Sequence, residues 1–156
     1  YSGEVYSKGN DKRWSVANVL QLPSEENYGD SQWILDAHRT GKFILNLGCS
    51  DDFYNAVDLV NVWNVGWSTN RFKVYLSKHH MINNQDIFLK SLSTMHSNQD
   101  GPWHEVLDES IVDSRNQEKP LPLQTFSFDS MIARFAMFEV QTWYGSGGGL
   151  HYFNVK

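Results

Sequence analysis

The sequence predicts an all-β domain, an antiparallel sandwich or barrel, and three observations carry that prediction. Short runs alternate apolar and polar residues with a period of two, the pattern of strands with one buried face. Gly, Asn, Asp and Pro separate the runs. The runs recur along nearly the whole chain, with no internal repeat and no low-complexity linker, so residues 1–156 are assigned to one domain.

The elements follow in order. Residues 42–47 (KFILNL) form a hydrophobic run that ends at Gly48. Residues 56–62 (AVDLVNV) place Val57, Leu59 and Asn61 on one side. In 72–76 (FKVYL), Phe72, Val74 and Leu76 share one face while Lys73 and Tyr75 share the other. The same alternation returns in 103–107 (WHEVL) and 124–128 (QTFSF). The longest strand candidate is 133–142 (ARFAMFEVQT), which offers Phe135, Met137 or Phe138, and Val140 to a core. Residues 150–155 form the last strand. One segment, 83–95 (NNQDIFLKSLSTM), lacks alternation; Asp86 is placed to cap a short helix carrying Ile87, Phe88, Leu92 and Met95. Before the 124–128 strand, 119–123 (KPLPL) reads as an extended connection.

Composition narrows the partners. Aromatics make up 14% of 156 residues, six of them Trp, enough for a packed core rather than a disordered chain. No apolar stretch approaches the roughly 20 residues of a membrane span. Net charge is −5 and the densest basic spot is Lys12-Arg13, so nucleic acid is excluded and membrane binding disfavoured as general modes, because both reward clustered cations. The single cysteine, Cys49, rules out an internal disulfide and reads as a small buried apolar group. The chain begins at Tyr1 without Met and carries no signal peptide, as expected of a processed chain or one domain of a larger protein.

No catalytic constellation emerges, so no enzyme is expected. The cluster GSGGG (145–149) is followed by a strand rather than by Gly-Lys-Ser/Thr and a helix, which removes the phosphate-loop reading. His79-His80 are adjacent, and adjacent strand side chains point to opposite faces, so a surface loop is the better reading. Asp51-Asp52 open a turn. His38 near Asp36, and His104 beside Glu105, have no nucleophile at motif spacing. Aromatics in connecting segments say more: Tyr28 and Trp33 in 24–33, Trp63 and Trp67 in 62–70, and Trp143-Tyr144 before the glycines. One such ring plugs the end of a sandwich; several on different loops suggest a binding platform with polar neighbours.

With the strands placed, the chain resembles the coagulation factor V/VIII type C, or discoidin-like, family. SVANVL (15–20) resembles its early A-x-N-x-L segment, and Trp33 its first tryptophan ahead of GKFILNLG (41–48). STNRFKVYLS (68–77) and GPWHEVL (101–107) resemble its T-K-x-F-x-V and W-x-x-V strands. ARFAMFEVQTWYGSGGGLHYFNV (133–155) resembles its C-terminal signature, the most specific part of the match. The resemblance implies an eight-stranded antiparallel jelly-roll β-sandwich, galactose-binding domain-like, with both termini at one end and ligands at the other. It also implies an extracellular or cell-surface recognition module whose partner is a glycan or a cell-surface protein. Where calcium-binding relatives carry carboxylates this chain has Gln21 and Tyr152, so no cofactor is expected and calcium is disfavoured, with Glu25, Glu26 or Asp30 as compensating candidates. Arg13, Arg39, Arg71, Arg115 and Arg134 are not followed by the Asp of the fucose-binding R-x-D element. The expected ligand contacts are Tyr28, Trp63, Asn64, Trp67 and Tyr144, with His38, Arg39 and Arg71 as polar partners.

Overall fold

The computed structural model describes residues 2–3, 15–24, 32–48, 52–63, 66–78 and 103–156. The 83–95 helix expectation, Cys49, Asp51 and His79-His80 lie outside them. Within them the chain is an antiparallel β-sandwich. Its strands are β1 (Ser2–Gly3), β2 (Trp33–Ile34), β3 (Gly41–Asn46), β4 (Phe53–Asn61), β5 (Trp67–Thr69) and β6 (Arg71–Ser77). They continue as β7 (His104–Ser110), β8 (Gln124–Ile132), β9 (Phe135–Val140), β10 (Trp143–Gly145) and β11 (Gly149–Val155). One sheet has the order β1-β3-β9-β6-β7 and faces a second of order β2-β11-β4-β8, while β10 and β5 form a two-stranded ribbon.

The period-two reading survives where one face is buried. Phe72, Val74 and Leu76 enter the core, as do Val57 and Leu59. The 133–142 segment differs from expectation. Strand β9 has six residues and is shorter than β4 and β8, which have nine each. Its core face is Ala136, Phe138 and Val140, whereas Phe135 and Met137 lie opposite with Ile44, Tyr75 and Trp103. Pairing fixes this phase: Phe138 stands opposite Phe43 on β3 and Val74 on β6, and both neighbours face inward. A one-residue slip would expose all three inward residues of β9.

The two sheets meet through aromatic rings. Phe138 stacks on Phe43 and Phe72 at 5.4 Å each and meets Trp33 and Phe153 edge-on at 6.3 and 5.6 Å. Trp33 and Phe153 belong to the other sheet, so one ring spans the sandwich. Strand β3 stops where Asn46 Oδ1 accepts from the Gly48 amide at 2.9 Å and Gly48 takes φ +116°. Val16–Leu20 (a 3-10 helix) is capped by Ser15, whose Oγ accepts from the Ala17 amide, and buries Val16 and Val19.

The end carrying Gly41, Val140, Arg71 and Leu150 holds the β2–β3 turn, the β4–β5 connection and the β10–β11 turn. We call it apical; Asn46, Phe135 and Lys156 lie at the opposite end. The apical turns touch through Gly147–Gly149, where side chains have no room. A Cβ on Gly149 would lie 2.5 Å from the Trp33 carbonyl oxygen and 2.9 Å from Val62 Cγ2. Gly149→Ala is therefore expected to lower stability by about 2 kcal/mol, the scale of overpacking, in urea titrations of the unfolding equilibrium.

Candidate functional site

The apical face is assembled by backbone hydrogen bonds between its turns. The Leu35 amide donates to the Gly148 carbonyl at 3.0 Å and the His38 amide to the Ser146 carbonyl at 2.7 Å. From the other side, the Ser146 and Gly147 amides both donate to the Gly66 carbonyl, and the Ser68 amide donates to the Gly147 carbonyl. Tyr144 pairs with Ser68, and Gly145 (φ +85°) with Trp67. The glycine segment thus stitches the β2–β3 turn to the β4–β5 connection. His38 itself takes φ +61°, a left-handed conformation that costs a non-glycine residue about 1 kcal/mol. Its imidazole is exposed beside Arg39, whose amide closes the turn onto the Asp36 carbonyl.

Polar side chains hold the next layer. Asn61 Oδ1 accepts from the amides of Val62 and Thr69, while its Nδ2 donates to the carbonyls of Thr69 and Val112. One buried amide therefore joins β4, β5 and the β7–β8 connection. Ser114 from that connection donates to the Val62 carbonyl and meets Ser68 Oγ at 3.3 Å. Trp63 follows Val62 and Tyr144 pairs with Ser68, so Ser114 contacts the immediate backbone neighbour of one ring residue and the strand partner of the other.

The predicted contacts divide as follows. Trp63, the most exposed tryptophan among the described residues at 38%, stands on the β4–β5 connection with Lys119 Nζ 3.7 Å from its ring centroid. Trp67 opens strand β5 rather than lying in a loop, because its pairing with Gly145 extends the ribbon. It is half-buried, with its pyrrole edge under Gly147 and its Nε1 enclosed without an acceptor among the described residues. Tyr144 lies in β10 rather than in the turn after it, half-buried, with the Arg115 guanidinium 5.3 Å from its ring centroid. The His38 amide bonds the Ser146 carbonyl, and Arg39 follows it in the same exposed turn. Arg71 does not join this group: it lies on the outer face of its sheet, in a two-point ion pair with Asp108 at 2.7 and 2.8 Å. Tyr28 and Asn64 lie outside the described residues, as do Glu25, Glu26 and Asp30. Among the described residues no three of His, Cys, Asp and Glu gather as metal ligands.

Sequence reasoning read 119–123 as an extended connection and gave the β7–β8 connection, 111–123, no part in binding. There Arg115 Nε and Nη2 grip the Asp113 carboxylate at 2.9 and 2.7 Å, and this holds the Asp113 carboxyl below its ordinary range. The only local signal was the D-x-R spacing, which is common on surfaces. His151 was also missed. It is fully buried at the irregular pairing between β11 and β4, where Leu150 and Tyr152 oppose successive residues of the partner strand.

Sugar-binding modules of solved structure share this architecture. A chitosan-binding module from a chitosanase/glucanase of Paenibacillus sp. IK-5 matches with a TM-score of 0.63 at 14% identity, covering 99% of this chain and 93% of that one. This chain shares the β-sandwich fold of that module. The module CBM32-3 of a family 31 glycoside hydrolase from Clostridium perfringens matches with a TM-score of 0.58 at 12% identity, over 99% and 87% of the two chains. The CBM32 of AlyQ, solved in complex with 4,5-unsaturated mannuronic acid, matches with a TM-score of 0.59 at 14% identity, over 99% and 93%. No family model matches the sequence, and no curated protein sequence matches it.

Burial pushes the His151 imidazole down to about 4, with the Lys119 ammonium adding in the same direction. An unfolded His titrates near 6.5, so the unfolded chain binds the extra proton first as pH falls. The neutral folded form is fully favoured above about pH 6.5, and that advantage is lost on descending toward 4. Stability is expected to drop by up to about 3 kcal/mol across this window in urea titrations, and His151→Gln to flatten the dependence. An unchanged slope in the variant would assign it elsewhere.

Proposed function

We propose that this chain is a non-catalytic, extracellular carbohydrate-binding module that takes a glycan on its apical face. The observation that supports this reading is that Trp63, after Val62, and Tyr144, on β10 paired with β5, lie on elements that Ser114 fastens at Val62 and Ser68, in a fold whose solved neighbours are named as sugar-binding modules. Flat rings stack on the C–H face of a pyranose, and polar groups beside them then select hydroxyl geometry. Trp63 and Tyr144 supply the stacking surfaces; the exposed His38 and Arg39 supply hydrogen bonds from across the glycine turn. Trp67 supports the turn from beneath, with its rim available to a bound sugar. Tyr28 and Asn64, from segments flanking the same face in sequence, complete the proposed contact set. Arg71, held by Asp108 on the outer sheet face, is given no part in it.

The His38 backbone supports the same reading. A strained left-handed residue persists where surrounding contacts hold it, and here two apical turns do so. The test is a glycan array probed with the intact chain, followed by titration calorimetry on the best ligand. Binding is expected, and Trp63→Ala and Tyr144→Ala should each weaken it about tenfold or more with the thermal midpoint kept within a few degrees. A folded chain that binds no glycan would remove the proposal.

A further inference from the structure

Both apical rings carry a cation, and both cations come from one segment. Lys119 Nζ lies 3.7 Å from the Trp63 ring centroid, and the Arg115 guanidinium carbon lies 5.3 Å from that of Tyr144. The two residues are four apart on the β7–β8 connection, and Ser114 ties that connection to Val62, the residue before Trp63, and to Ser68 of β5, the strand on which Tyr144 pairs. Arg115 is also held from behind. Its Nε and Nη2 are occupied by Asp113, whose Oδ1 also accepts from the Arg115 amide at 3.1 Å, and Gln117 Nε2 donates to the Asp113 carbonyl at 3.0 Å. These contacts leave the two N–H donors of Nη1 without a protein partner among the described residues, on a guanidinium whose plane is already set. Ordering a flexible arginine is one of the larger costs of polar binding, and here it is met before a ligand arrives.

We propose that the apical site prefers sugars bearing a carboxylate, the uronic-acid class, with the acid group taken by Arg115 Nη1 and Lys119 adding the second positive charge. This rests on the carbohydrate-binding reading above and deepens it. A neutral hydroxyl bonds to a guanidinium, but an ionised carboxylate makes a shorter and roughly twice as strong charge-assisted bond. The overall charge of −5 does not oppose this at close range. At physiological ionic strength exposed charges more than about 8 Å apart are largely screened, so the field at the rings is set by Arg115 and Lys119 together with Asp113 and Glu118 of the same segment rather than by the net charge. Asp113, the acidic group closest to Arg115 on this segment, is already paired.

Matched sugar pairs test this with the intact chain: oligogalacturonate against its methyl ester, and oligomannuronate against its carboxyl-reduced product. Alongside them run the neutral glycans of the array. The acidic member of at least one pair should bind tenfold or more tightly than its neutral counterpart, with affinity falling as salt rises. In folded Arg115→Gln the acid-to-neutral ratio should move toward one, and in Lys119→Met it should fall in part. If neutral glycans bind while neither acid exceeds its partner, the acid preference is wrong and the carbohydrate reading stands. If no glycan binds, both fail. A preference that persists undiminished in both folded variants would overturn the assignment to Arg115 and Lys119. Should either variant fail to fold, the wild-type pairs still decide the preference.

Discussion

The β10–β11 turn approaches the β2–β3 chain more closely than any side chain permits, with the space for a Gly149 Cβ ending 2.5 Å from the Trp33 carbonyl oxygen. A Cβ on Gly148 would lie 2.6 Å from Val140 Cγ1, and one on Gly147 would lie 2.7 Å from the pyrrole edge of Trp67. That contact lets the amides and carbonyls of 146–148 bond on one side to 35–38 and on the other to 66–68. The apical face is therefore a consequence of glycine volume more than of glycine flexibility. Only Gly145 in this run uses a left-handed φ. The rest are small because backbone must pass.

Much of the sandwich was legible because alternation and burial obey the same period. Phe72, Val74 and Leu76 read correctly since β6 has one face inward over its whole length. The phase of β9 was harder to read. ARFAMFEV is apolar on both sides because its outer face also meets buried residues, Ile44, Tyr75 and Trp103, so alternation cannot say which half is core. Pairing with β3 and β6 decides it, and pairing is not a local property of sequence.

The candidate site was legible only as a set of rings. Trp63 and Tyr144 could be nominated because aromatics in polar connecting segments are unusual; in the structure Ser114 fastens Val62, next to Trp63, and Ser68, the pairing partner of Tyr144. Arg115, Lys119 and Asp113 gave no comparable signal, because charged residues in a connection are ordinarily solvated. Their position follows from Asn61 and Ser114, which fasten the β7–β8 connection to β4 and β5 across about fifty residues of sequence. Arg71 directly follows the 62–70 segment that carries Trp63 and Trp67. In β6 it faces outward, and alternation alone would have placed it with Lys73 and Tyr75.

The central claim is that ligand meets this protein on the glycine-stitched apical face. Backbone amide NMR during titration with the best-binding oligosaccharide tests it most directly. The account predicts saturable shifts confined to 35–39, 62–69, 113–119 and 142–149, with the opposite end near Asn46, Phe53 and Lys156 unmoved. Saturable shifts centred on that opposite end, or on the outer face bearing Arg71 and Lys73, would contradict it.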